Sequence, residues 1–221
     1  MTRTVAFLHS SETHVATFDA LLQDTGVQVS VLHSVHPEWL ERARDEGIGL
    51  VLLAAIRGHL AELAKSADIV VCTCSTLGPV AESMNEPNIL RVDAPMMERA
   101  VAIGGQVLLV LCLDSTVESS RNLLERAFAD AEREPSYRLL MVEDAWPAYE
   151  AGDMGAFTAT IVRWVGAALS AEPQISCVVL GQASMHAARP ALIGGGVPVL
   201  SSPATAVARV LEMLDVTMRL R

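Results

Sequence analysis

The residues best placed to do chemistry lie in the stretch Asp68-Ile-Val-Val-Cys-Thr-Cys-Ser-Thr-Leu-Gly-Pro79. A strand-like apolar run, Ile69 to Cys72, passes directly into Thr73, Cys74, Ser75 and Thr76, and Gly78 and Pro79 close the group. A thiol among hydroxyls at a strand's carboxyl end sits where open α/β sheets present residues to ligands. Hydroxyls and the backbone N–H groups of a strand-to-helix turn favour an anion, so they can stabilise a thiolate or a bound carboxylate. Such a thiolate is a competent general base for a carbon acid. The plain alternative is a buried, inert thiol.

Other groups carry less. Cys72 and Cys74 fall two apart and share a strand face, but no second Cys or His pair stands at metal-ligand spacing, so no metal is expected. Gly104-Gly105 and Gly194 to Gly196 match no phosphate-loop spacing, no dinucleotide fingerprint follows the first strand, and no cofactor is expected. His9, at the end of the first strand, and His186 are candidate acids or substrate contacts, with capping as the alternative. His14, His33, His36 and His59 read as surface or helix-end residues. Ser10-Ser11, Ser75-Thr76, Ser115-Thr116 and Ser184 all close strands at helix starts, where hydroxyls cap helices and the same N-termini collect anions.

The elements that must position these groups alternate strand and helix along the chain, the pattern of a parallel sheet with helices on its faces. Strands are expected at Val5–His9, Val27–Leu32, Ile69–Cys72 and Ile89–Val92. Between them lie a helix carrying Val15, Phe18, Leu21 and Leu22, a short helix opened by Pro37, a longer one from Gly47 to Ala67, and helices opened by Pro79 and Pro95. From Gly105 the pattern begins again, with strands at Val107–Leu113, Arg138–Val142 and Cys177–Leu180 and a helix from Met154 to Leu169. Ser115-Thr-Val-Glu-Ser-Ser-Arg-Asn-Leu-Leu124 matches Thr13-His-Val-Ala-Thr-Phe-Asp-Ala-Leu-Leu22 in its hydroxyl, Val, hydroxyl and Leu-Leu positions. Gly181-Gln-Ala-Ser184 falls in register with Thr73-Cys-Ser-Thr76, so Gln182 holds in the second half the place of Cys74. These matches predict a duplication: one α/β lobe from 1–96 plus 200–221 and a second from 97–199, with Val197 to Arg221 returning to the first lobe.

With 26 acidic against 16 basic residues, a net charge of −10 and Lys65 as the single lysine, the chain lacks the clustered cations that nucleic acid or an anionic membrane surface would require. Its hydrophobic residues, 51 %, come in short runs, which read as a filled α/β interior with no segment long enough to cross a membrane. The N-terminus enters a strand at once without a leader-like apolar segment, and four cysteines are expected to stay reduced, so a cytoplasmic location is expected.

Val70-Val-Cys-Thr-Cys-Ser-Thr76 resembles the first strand of the aspartate/glutamate racemase superfamily, which ends in Cys-Asn-Thr and includes hydantoin racemases, maleate isomerases and arylmalonate decarboxylases. Asp114-Ser-Thr-Val-Glu-Ser119 is similar to the segment after its middle strand. Val178-Val-Leu-Gly-Gln-Ala-Ser184 is similar to its second strand, usually ending Leu-Gly-Cys-Thr, and His9-Ser10 falls where glutamate racemases carry Asp-Ser. The resemblance implies two flavodoxin-like lobes with parallel sheets, related by a pseudo-twofold axis, with a small carboxylate in the cleft between them; the chain is also expected to be a homo-oligomer. It places Cys74 as the catalytic residue, with His9, Ser10, Ser11, Ser75, Thr76, Ser115, Thr116, Gln182, Ala183 and Ser184 around the substrate. Two thiols exchange the α-proton in the family's racemases; here Gln182 cannot be the second thiol, and His9 stands in place of an acid. The expected function is therefore a cofactor-independent racemase- or isomerase-type enzyme acting next to a carboxylate or carbonyl through one cysteine. The alternatives are a single-cysteine decarboxylase or a non-catalytic carboxylate-binding protein.

Overall fold

A computed structural model describes residues 2–219, with side chains through 215; Met1, Leu220 and Arg221, at the ends of the expected first and last segments, lie outside the described residues. The first half runs β1 (Arg3–His9), α1 (Thr13–Asp24), β2 (Val29–Val35), α2 (Pro37–Glu46), α3 (Leu50–Ser66), β3 (Ile69–Cys72), α4 (Gly78–Ser83), β4 (Ile89–Arg91) and α5 (Ala94–Ile103). The second runs β5 (Gln106–Leu111), α6 (Val117–Asp130), β6 (Tyr137–Met141), α7 (Trp146–Glu150), α8 (Met154–Ala171), β7 (Ile175–Leu180), α9 (Arg189–Leu192), β8 (Val199–Ser201) and α10 (Ser202–Arg219). Short 3-10 turns, Asp114–Thr116, Glu143–Ala145 and Ala183–Ala188, join strand ends to helices.

The strands form two four-stranded parallel sheets of identical order, β2-β1-β3-β4 and β6-β5-β7-β8. The chain divides into two compact units, Met1–Ala94 with Pro203–Arg221, and Pro95–Ser202. In each unit the two central strands are apolar almost throughout, because helices cover both faces and leave no solvent side. Along β1 the faces alternate with period two. Ala6 and Leu8 pack with Val70 and Cys72 against the α3 stripe Leu52, Ile56 and Leu60. Val5 and Phe7 pack with Ile69 and Val71 against Phe18 and Leu22 of α1 and against Ala206, Val207 and Val210 of α10. In the second unit Leu108, Val110, Val178 and Leu180 meet Phe157, Ile161 and Val165 of α8. Each fully buried Leu or Phe here contributes about 1.5–3 kcal/mol relative to an exposed one.

Three expectations change. The second strand lies at Val29–Val35 rather than 27–32, because it pairs with the whole of β1, from Arg3↔Val29 to His9↔Val35. The strand of the last segment pairs with β7, so only its helix, α10, joins the first sheet's core. Finally, α8 has the length and apolar composition of a membrane span, alone among the described helices, although its Phe157, Ile161, Val165 and Ala168 form a one-sided stripe in a core.

The duplication reaches into the helices. With Thr13 set on Ser115, the buried positions His14, Phe18 and Leu22 fall on Thr116, Ser120 and Leu124, all three buried.

Candidate functional site

In the first unit, β1 and β3 are hydrogen-bonded neighbours that end together, with Leu8 opposite Cys72. The chain after each strand therefore emerges side by side: His9-Ser10 from β1 and Thr73-Cys74 from β3. The Ser10 hydroxyl and the N–H groups of Thr76 and Leu77 lie close enough to the Cys74 sulfur to favour its anion, and the Leu77 N–H donates to the Cys74 carbonyl oxygen at 3.1 Å. The Thr76 hydroxyl lies near the sulfur and is buried with no hydrogen-bond partner. Cys74 is 6 % exposed, and Ser75 beside it is buried as well.

Burial pushes the Cys74 thiol above its ordinary value, while Ser10, the Leu77 and Thr76 N–H groups and the Thr76 hydroxyl pull the other way. The expected exposed thiolate is thus a buried thiol that keeps its proton, because desolvation of the anion outweighs four nearby donors. Burial likewise lifts the remaining cysteines, Cys72, Cys112 and Cys177, to about 12.

His9 is fully buried. Its Nδ1 lies 2.8 Å from Thr73 Oγ1 and its Nε2 2.8 Å from Nδ1 of His33 on β2. Burial, then His14 and His33, lower its pKa to about 3. The expected surface histidines His14 and His33 belong to the same cluster: His14 of α1 is buried, and burial lowers its pKa to about 4. The sequence signal was the period-two face of β2, where Val29, Val31 and His33 share the side covered by α1. His36 and His59 are partly exposed and joined through Ser34.

In the second unit the equivalent turn follows β7. Gln182 is 6 % exposed, and its side-chain carbonyl accepts a hydrogen bond from the Cys112 N–H at the end of β5. Cys112 is the counterpart of Ser10 by the match that sets Thr13 on Ser115, each being the first residue after its unit's first strand. Both units therefore link the residue after the first strand to the second residue after the third, by hydroxyl to thiol in one and by backbone N–H to amide in the other. Ala183 and Ser184 are buried in the 3-10 turn; Thr116 donates to Leu113 O at 2.6 Å, and Ser115 Oγ is buried with no partner. His186 Nδ1 lies 2.8 Å from Ser201 Oγ.

At α1, α4 and α6 the residue before the helix, Glu12, Leu77 and Thr116, is already right-handed helical and makes no side-chain cap, and Ser11 bonds Thr13 at 2.9 Å. Ser10 is thereby left for the thiol. Among the described residues no group of three or more His, Cys, Asp or Glu is placed to hold a metal ion.

Gly181 fixes how Gln182 leaves its strand. A Cβ there would lie 2.5 Å from Leu111 Cδ2 and 3.1 Å from the Val110 carbonyl oxygen. Gly181→Ala is expected to lower stability by about 1–3 kcal/mol through overpacking, read from the urea unfolding midpoint.

The doubled four-stranded parallel unit with one strand order is the two-lobed fold also found in solved racemase and decarboxylase structures. Solved structures sharing it include a glutamate racemase isoform from Bacillus anthracis, at 14 % identity and TM-score 0.72, over 97 % of this chain and 82 % of that one. The aspartate racemase of Picrophilus torridus matches at 14 % identity and TM-score 0.66, over 96 % and 94 % of the two chains. A glycine-to-cysteine variant of arylmalonate decarboxylase matches at 18 % identity and TM-score 0.60, over 95 % and 92 %. No protein-family model and no curated protein matches the sequence.

Proposed function

We propose that the chain is an enzyme of racemase or isomerase type, needing no cofactor, that moves a proton at the carbon next to the carboxylate or carbonyl of a small organic or amino acid. Cys74 is the residue that carries the proton. The observation behind this reading is a buried sulfur at a strand end with the Ser10 and Thr76 hydroxyls and the Thr76 and Leu77 N–H groups near enough to favour its anion. Because burial keeps the proton on sulfur, the thiol suits delivery to a planar carbanion: the S–H bond breaks, a C–H bond forms, and the four donors receive the thiolate left behind. Ser75, buried beside Cys74, is proposed to hold a substrate oxygen. The racemase and decarboxylase names of the structural neighbours support the same class.

The test is turnover in heavy water with amino acid, hydantoin, malonate and maleate substrates, following α-deuterium, isomer and carbon dioxide. Cys74→Ala is expected to lower the rate at least about 10²-fold, the lower end of what positioned acid–base groups contribute. Unchanged turnover in the variant overturns the reading.

A second reading, a carboxylate-binding protein without catalysis, is favoured by one observation: the second unit carries Gln182, bonded to its own backbone, where a second thiol would stand. Ligand protection of Cys74 against alkylation without any deuterium exchange across the panel selects it.

A further inference from the structure

A second group of reactive side chains stands apart from the thiol turn, on the edge strand β2. Ser34 is half-buried near the end of β2, and His36 and Glu38 follow at alternate positions into α2. His36 Nδ1 lies 2.8 Å from Glu38 Oε1, and its Nε2 lies 3.1 Å from Ser34 Oγ. His59 of α3 brings its Nε2 to 2.7 Å from the same oxygen. Hydroxyl, imidazole and carboxylate therefore stand in line, at the spacing with which a base activates a nucleophile and a third group holds the base.

The surroundings fix the rings. The His36 backbone N–H donates to the His9 carbonyl oxygen at 2.8 Å, which ties the turn to β1. Pro37 keeps His36 out of the helical conformation, at φ −134° and ψ 72°, before α2 begins. The His36 ring stacks on Trp39 with centroids 3.9 Å apart, and His59 meets both rings edge-on. β1 separates β2 from β3, the strand that carries the Cys74 turn, so the two sites are two strand spacings, or about 10 Å, apart across the sheet.

The proton positions follow when both imidazoles are neutral. Burial opposes the charge on Glu38, but the His36 hydrogen bond, the residue's own backbone N–H and the His36 charge lower its pKa. The carboxylate then only accepts, so His36 Nδ1 carries a hydrogen and its Nε2 a lone pair. That lone pair accepts the Ser34 hydroxyl, and the Ser34 oxygen accepts from His59 Nε2. Burial, then His36, lower the pKa of His59, in keeping with its neutral form. One lone pair on the Ser34 oxygen is left for attack.

We propose that Ser34, His36 and Glu38 form a second reactive site, a serine nucleophile with its base and a positioning carboxylate, which takes the acyl group of small uncharged esters. The site is independent of the reading of Cys74. Ser34 Oγ bonds to the acyl carbon while its proton moves to His36 Nε2; the bond to the alcohol oxygen breaks, and the proton passes from His36 to the departing alkoxide. Water, giving a proton to the same imidazole, then hydrolyses the acyl-serine, and that proton returns to Ser34. The His59 N–H is the donor nearest the place where the tetrahedral oxyanion forms. Glu38, 54 % exposed, repels an anionic acyl group, which limits the fit to uncharged ones.

The experiment uses p-nitrophenyl acetate at neutral pH, following nitrophenol release and locating acetyl groups by peptide mass mapping, with a fluorophosphonate as a second probe. A burst of nitrophenol equal to the amount of chain is expected, with both probes attached to Ser34. Ser34→Ala and His36→Gln are expected to lower the acylation rate by about 10²-fold, the lower end of what a positioned base contributes. Glu38→Gln is expected to lower it at least about tenfold with an unchanged urea midpoint. Glu38→Asp, which keeps the carboxylate, is expected to recover part of that loss, a rescue that a purely structural role would not give. Should Ser34→Ala or His36→Gln not fold, Glu38→Gln at its exposed position carries the test. Wild-type acylation in Ser34→Ala or Glu38→Gln, or label found only on other residues, overturns the site. Mass mapping separates label on Ser34 from label on Cys74, and deuterium exchange at Cys74 is a separate readout, so either site can fail without the other.

Discussion

Asp93→Ala is expected to destabilise the chain by about 3–5 kcal/mol, the cost of leaving a buried charge without its partner. Arg91, at the end of β4, has a side chain only 2 % exposed, and Asp93 is fully buried. The guanidinium gives Asp93 two bonds, Nε to Oδ1 at 2.7 Å and NH2 to Oδ2 at 3.0 Å, and a third to Glu82 at 3.1 Å. Burial opposes the charge on Arg91, but Asp93 and then Glu82 outweigh it and raise its pKa. Removing Asp93 leaves only Glu82, which is 37 % exposed and screened by water, so Glu82→Gln is expected to cost under about 1 kcal/mol. The effect reaches the thiol turn, because the guanidinium lies directly under Gly78: a Cβ on Gly78 would stand 2.8 Å from Arg91 Nε. Urea unfolding measures the cost, and Cys74 alkylation in the same variant reports the turn. A loss below about 1 kcal/mol for Asp93→Ala would show that the pair is not needed for stability.

The second large effect is a loss of stability in acid. His9 and His14 are buried neutral, with pKa values lowered by burial to about 3 and about 4. In the unfolded chain both return to about 6.5. Between those limits the unfolded state binds more protons than the folded one, so stability rises with pH there and falls as pH drops below about 6.5. Each histidine contributes a slope of up to about 1.4 kcal/mol per pH unit in that window. His14 also leaves both ring nitrogens buried without partners, itself unfavourable by about 1–3 kcal/mol. His14→Leu is therefore expected to raise stability at neutral pH and to remove its share of the slope between pH 6 and 4. Urea unfolding at pH 7, 6, 5 and 4 measures both, and parallel curves for the variant and wild type would refute the assignment.

The architecture was legible because periodicity and punctuation carry it. Runs such as Ile69–Cys72 and Cys177–Leu180 read as central strands, and the match of Thr13–Leu22 with Ser115–Leu124 announced two units of one strand order. The thiol turn was legible as residue types at a strand end. Its electrostatic sign was not, since depth of burial at Cys74 is a property of the folded turn and desolvation there wins over the donors. The histidine cluster was hidden for a related reason. His33 lies on the covered face of β2, and Asp19 meets it from a helix 14 positions earlier, a contact that only packing creates. Hydroxyls at strand ends suggested caps, but the 3-10 turns and helical backbone before α1 and α6 turned them elsewhere, Ser10 toward sulfur and Thr116 toward Leu113.

The return of α10 to the first sheet sets an order of events during synthesis. Val5, Phe7, Ile69 and Val71 need Ala206, Val207 and Val210 to complete their cover, whereas Pro95–Ser202 is one unbroken stretch. A chain leaving the ribosome can therefore finish its second unit while the first still has a bare apolar face, and the part made first is the last to mature. Chains halted before residue 203 would carry the Cys74 turn on an unfinished sheet, exposed to proteases and to self-association through that uncovered face.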